Sequence, residues 1–200
     1  MYDWRKMTTE DRARALDERK ARHLPWHSPP HLDFSGEHRY IITAACYEHA
    51  PVIGKSTERM TGCEEDLLKV FQELGAEVYA WCVLPNHYHV LARTDRIEAL
   101  RKEIGRFHGR SSFIWNGEDK SRGRKVWHNC FERPMKSERH FRASLNYIHH
   151  NPVHHGYVRR WQDWPYSSGA EFLHQHGRAQ ALQFWRDYPV LDYGKDWDIY

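Results

Sequence analysis

The sequence predicts an α+β fold: a mostly antiparallel sheet with flanking helices. Three observations predict it. Segments with strand and helix character alternate in the order β-α-β-β-α-β-α. Two of the strand segments are separated only by Pro85-Asn86, which suggests an antiparallel hairpin. The chain has 200 residues and 40% hydrophobic content, enough for one domain with a sizeable core.

Residues 1–36 read as an N-terminal extension. Thr9 to Leu24 is helical in pattern, with Thr8 or Thr9 as N-cap, and Pro25, Pro29 and Pro30 forbid its continuation. RYIITAACY (39–47) is a continuous β-prone run, read as a buried strand. Residues 58–75 carry apolar side chains at 67, 68, 71 and 74, the spacing of a helix, with Gly75 at its end. AEVYAWCVL (76–84) and HYHVLAR (87–93) are the hairpin strands, and 97–115 is a second helix. Residues 116–125 form a polar loop expected to be mobile, and 125–135 a fourth strand or hairpin arm. Residues 137–151 form a third helix, with Ser137 as N-cap and Pro152 as its stop. The remainder, 157–200, reads as loops and short helices rich in Trp and Tyr. The expected organisation is an extension (1–36), a principal domain (37–158) and a C-terminal segment packing on it (159–200).

Composition excludes several classes. No apolar run approaches the roughly 20 residues that span a bilayer, and the first residues lack the apolar stretch of a secretory leader. Cysteines 46, 63, 82 and 130 form no CxxC pair, so a reduced cytoplasmic chain is a simpler reading than a zinc ribbon. The formal charge of +3 says little, but 16 His, 9 Trp and 11 Tyr suit metal, phosphate or nucleobases as partners.

Three features carry chemistry. In a strand, His87 and His89 point to the same side with Cα atoms roughly 6.5–7 Å apart, so two imidazoles can face one metal ion; such a pair also occurs by chance in a chain this rich in His. On a helix, Tyr147 and Asn151 share a face; taken alone they also read as a core aromatic and a cap. Residues 101–142 hold twelve Lys and Arg against five acids, a local balance of +7. Arg101, Lys102, Arg106, Arg110, Arg122, Arg124 and Lys125, interleaved with Phe107, Phe113, Trp115 and Trp127, suit a single-stranded nucleic acid, with cations for phosphates and rings for bases. The extension adds Arg5, Lys6, Arg12, Arg14, Arg19, Lys20 and Arg22 against five acids, which reads first as a solvated helix face.

Over residues 38–170 the chain resembles the HUH-type single-tyrosine transposases, most closely their REP-associated branch. RYIITAACY, WCVLPNHYHVLA, KVWHNCFERPM, SLNYIHHNPVHHGYV and WPYSS carry the likeness. HxH followed by Y-x-x-x-N-P is specific as a pair. The resemblance implies a ferredoxin-like sandwich in which His87, His89 and Asn151 hold Mg²⁺ or Mn²⁺ and Tyr147 is the nucleophile. It implies action on single-stranded or hairpin DNA at palindromic repeats, through a 5′-phosphotyrosine intermediate, by a monomer or homodimer in the cytoplasm at the nucleoid. His149, His150, His154 and His155 exceed the family pattern; any could compete as a ligand, and His149 or His150 could act as base. A non-catalytic hairpin-binding protein on the same fold is the alternative. A metal-dependent phosphoesterase using water would need carboxylates that 85–93 and 145–153 lack.

Overall fold

A computed structural model describes residues 38–190 together with Thr8, Glu10, Asp11, Arg14 and Asp17. The chain divides into two units, Met1–Phe34 and Ser35–Tyr200. In the first, Glu10, Asp11, Arg14 and Asp17 are helical, and Thr8 Oγ1 accepts from the Asp11 amide at 3.1 Å, as an N-cap does. The prolines at 25, 29 and 30, the remaining cations of the extension and residues 191–200 lie outside the described residues.

In the second unit four strands form one sheet: β1 (His38–Ala45), β2 (Glu77–Val83), β3 (His87–Thr94) and β4 (Phe131–Pro134). Their order is β2-β3-β1-β4 and every pairing is antiparallel. The four long helices are α1 (Thr57–Glu73), α2 (Ile97–Glu118), α3 (Glu138–His154) and α4 (Gly169–Asp187). With β-α-β-β-α-β connectivity, this strand order is the ferredoxin-like arrangement. Caps fix where helices begin: Ser56 accepts from the Arg59 amide at 3.2 Å and Ser137 from the His140 amide at 3.1 Å.

Alternation along the strands sorts side chains into two cores. Tyr40, Ile42, Ala44, Tyr88, Val90 and Ala92 pack with Leu67 and Phe71 of α1 and Leu100, Ile104 and Phe107 of α2. On the other side of the sheet Ile41, Cys82 and Leu91 pack with Phe141, Leu145 and Ile148 of α3 and Phe172 of α4. Two helices thus cover each face. Among the described residues, no helix is long and apolar enough to cross a membrane.

Four expectations change. The third helix runs through Pro152 to His154. Proline forfeits only one helical bond there, and the turn closes instead at Gly156, whose φ of 73° suits glycine. The Gly156 amide donates to Val153 O at 3.0 Å and the Tyr157 amide to Pro152 O at 2.9 Å, the paired bonds of a Schellman ending. The fourth strand shrinks to four residues, its earlier part making only an isolated Cys46–Trp127 bridge. The C-terminal segment contains a 19-residue helix, α4, kinked at Gly177. The loop expected to be mobile is tied down: Asp119 receives Arg59, Lys55 and Arg124, and Asn116 exchanges bonds with Arg124 at 2.8 and 2.9 Å.

Candidate active site

β3 starts directly after the Pro85-Asn86 turn, which places His87 and His89 in the first three residues of a central strand. Both rings lie on the α3 side, because Tyr88 and Val90, which alternate with them along the strand, are committed to the α1–α2 core. They are 2% and 0% exposed, and their centroids are 5.0 Å apart. Each is gripped at Nδ1: His87 by Asn86 Oδ1 at 2.8 Å, His89 by Thr43 Oγ1 at 2.8 Å. Gripping the far nitrogen is how proteins aim a histidine's Nε2 at a metal ion.

α3 brings the other two residues. Tyr147 and Asn151 are one helical turn apart and both face the sheet. The Tyr147 ring meets the His89 ring edge-on, centroids 5.2 Å apart and planes at 68°. Asn151 Oδ1 stands 3.0 Å from His87 Nε2. All four sequence-predicted residues therefore converge, and all are buried.

The donors fit a divalent cation. Neighbouring ligands of an octahedral ion with bonds of 2.0–2.1 Å are about 3 Å apart, which is the separation of His87 Nε2 and Asn151 Oδ1. Among the described residues, no three His, Cys, Asp or Glu side chains gather to hold a metal; the further oxygen beside His87 Nε2 is Asn151 Oδ1. The extra histidines do not complete a ligand set. His149 is stacked on Trp161 with planes at 12° and bonded to Ser168 Oγ at 2.9 Å, about 200° around the helix from Tyr147. Burial pushes its imidazole down to about 3, so it stays neutral inside the core. His150 packs on Trp185, and His155 stands edge-on to His87 at 5.0 Å. A base role for His149 is thus replaced by a packing role.

The predicted DNA-contacting cations do not join this site. Arg101, Lys102, Arg106 and Arg110 lie on α2, across the sheet from the histidines. Arg101 bonds Glu98 and the buried Glu132, Arg106 bonds Glu103, and Arg124 is held by Asp119. Arg122 donates to Phe113 O at 2.6 Å and lies over the Phe113 ring, while Lys125 stands 4.6 Å over the Tyr47 ring. Of the expected rings, Phe107, Trp115 and Trp127 are core; Phe113 is exposed. A 330 Å³ cavity lined by Arg59, Phe107, Trp115 and Glu118 also lies on that side and holds none of the four site residues.

Reading the sequence missed Asn86, Thr43 and Phe131. Phe131 pairs with Thr43, and Thr43 with His89, so the three occupy one row across the sheet on one face. Phe131 is 41% exposed, roughly 10 Å from the His89 strand by two strand spacings. Arg133, also exposed, is on the same face two residues along.

The sequence pattern of the family described as "Transposase IS200 like" matches residues 37–151. A Haemophilus influenzae protein named for the REP-associated tyrosine transposases is 30% identical over 131 residues, 60% of this chain and 66% of that one. The Escherichia coli REP-associated tyrosine transposase is 32% identical over 107 residues, 51% of this chain and 59% of that one. The chain thus spans about three fifths to two thirds of these relatives' lengths. A solved structure of a REP-associated tyrosine transposase bound to a REP hairpin shares the fold, with a TM-score of 0.56 and 20% identity over 76% of this chain and 88% of that one.

Proposed function

The chain belongs to the IS200-like transposase family, and from that premise we propose that it cuts and rejoins single-stranded DNA at hairpin-forming, REP-like palindromes through Tyr147. The observation that carries this reading is the convergence of the Tyr147 ring with His89, His87 and Asn151.

In the first step the Tyr147 oxygen attacks phosphorus and the bond to the 3′-oxygen breaks. The phenolic proton ends on the departing 3′-hydroxyl, leaving a 5′-phosphotyrosine. In the second, a 3′-hydroxyl from the same or another strand attacks that linkage, restores a phosphodiester and returns a proton to Tyr147. Phosphodiester energy is conserved, so joining needs no nucleotide cofactor. His87, His89 and Asn151 would hold Mg²⁺ or Mn²⁺, and when bound the ion neutralises and orients a non-bridging phosphate oxygen. Two imidazoles favour the transition ion, Mn²⁺, over Mg²⁺.

The cleaved strand is read as crossing the α3 side of the sheet, with a base on Phe131 and a phosphate near Arg133. The exposed Lys102, Arg106 and Arg110 on the opposite side remain candidates for duplex away from the cleavage point.

Incubating the protein with a hairpin-bearing single strand and Mn²⁺ is expected to give an adduct that survives denaturing electrophoresis. A chelator, or His87→Ala with His89→Ala, should abolish it while hairpin binding persists. An adduct undiminished by both removes the metal from the mechanism, and strand cutting with no adduct means that water, not Tyr147, is the nucleophile.

A further inference from the structure

Asn86 sits in the tight turn between β2 and β3, where the Leu84 amide donates to His87 O at 2.8 Å. Its side chain makes two bonds. Nδ2 donates to His49 O at 3.2 Å, and Oδ1 faces His87 Nδ1 at 2.8 Å. A backbone carbonyl only accepts, so the first bond fixes which end of the amide faces which way. The second must then run from an Nδ1–H of His87 to Asn86 Oδ1. A neutral His87 ring protonated at Nδ1 carries its lone pair on Nε2, the atom 3.0 Å from Asn151 Oδ1. In that tautomer Nε2 and Asn151 Oδ1 would both be acceptors, a juxtaposition that a cation lying against both would relieve.

The carbonyl that orients Asn86 is itself placed by an unusual backbone. Glu48 and His49 both adopt left-handed conformations, φ 54° and 52°, which non-glycine residues rarely do. The short turn is closed by His49 N to Cys46 O at 3.0 Å and Ala50 N to Tyr47 O at 3.2 Å. Its start is pinned to the same asparagine, since the Cys46 amide donates to Asn86 O at 2.7 Å. Strained backbone that persists beside a site is a sign that the surroundings hold it for a purpose. Thr43 differs, because its hydroxyl can donate or accept and so holds the His89 ring without deciding its tautomer.

We propose that Asn86 is a positioning residue, locked by the 46–49 turn, that sets His87 in the Nδ1–H tautomer and so presents Nε2 as a ready metal donor. The inference rests on the reading of His87 as a ligand. It goes beyond that reading by assigning the proton on the ring and the group that decides it.

Two measurements test it. In metal-free protein, ¹⁵N NMR of the histidine rings should show His87 protonated at Nδ1; protonation at Nε2 overturns the proposal without any variant. Mn²⁺ binding, followed by EPR of the free ion, should weaken 10- to 100-fold in Asn86→Ala, the range for loss of an outer partner of a metal-bound histidine. His87→Ala separates the two claims. If His87→Ala leaves Mn²⁺ affinity unchanged, the ligand reading fails. If His87→Ala weakens binding but a folded Asn86→Ala does not, only the role of Asn86 fails.

Discussion

Removing the Phe131 ring tests where the cleaved strand runs. Phe131 is 41% exposed on a four-residue edge strand and shares its row and face with Thr43 and His89. A base stacked on an aromatic ring contributes about 1–3 kcal/mol, so Phe131→Ala should weaken single-strand binding roughly 5- to 150-fold. Phe131→Leu, which keeps apolar bulk without a π-face, should recover only part of that. The contrasting variant is Lys102→Gln with Arg106→Gln and Arg110→Gln, three cations on the far side of the sheet. If all three touched phosphates, the slope of log K against log salt for a single strand would fall by about 2, at roughly 0.7 per contact. Fluorescence anisotropy of a labelled, hairpin-free oligonucleotide at several salt concentrations measures both. The expected result is a large loss for Phe131→Ala and a nearly unchanged slope for the triple variant. Unchanged binding by Phe131→Ala together with a slope reduced by about 2 would place the strand over α2 and refute the reasoning.

Stability should also report the imidazoles of His108 and His149. Burial pushes His108 down to about 4 and His149 to about 3, against about 6.5 in an unfolded chain. The unfolded state therefore binds more protons below pH 6.5, and stability present above that pH is lost as it falls toward 4. Two such groups give up to about 2.7 kcal/mol per pH unit near pH 5, which urea midpoints from pH 7 to 4.5 would show; a flat profile contradicts their burial as neutral rings. His149→Gln should roughly halve the slope. Gly156→Ala, in open space at a φ of 73°, should cost about 1 kcal/mol from backbone strain alone and loosen the turn that carries Asn151, seen as a lower melting temperature and weaker Mn²⁺ binding. An unchanged melting temperature would mean that the ending does not depend on glycine.

Much of the site is legible in the sequence because its spacing is local. A period of two aligns His87 with His89, and a period near four aligns Tyr147 with Asn151, whatever the rest of the chain does. Recognising that these two pairs belong together needed the family resemblance, since spacing does not say which strand face α3 covers. Long-range register is not legible at all: nothing local says that Phe131 stands opposite Thr43, or Thr43 opposite His89. The basic segment misleads for a related reason. Charge density along the chain is silent about which side of the sheet a helix packs on, and acids of the same segment pair with individual cations, Glu132 with Arg101 and Asp119 with Arg124. Pro152 misleads because its penalty depends on position; in the last turn of a helix it removes one bond and the chain continues to Gly156.

The central claim is that the phenol beside His89 is the group that becomes joined to DNA. The direct measurement is mass spectrometry of peptides from protein incubated with a hairpin-bearing strand and Mn²⁺, alongside Tyr147→Phe. A nucleotide remnant on the peptide containing Tyr147, absent from Tyr147→Phe while that variant still binds the hairpin, is the predicted result. A remnant on another residue, or an adduct that persists in Tyr147→Phe, would contradict it.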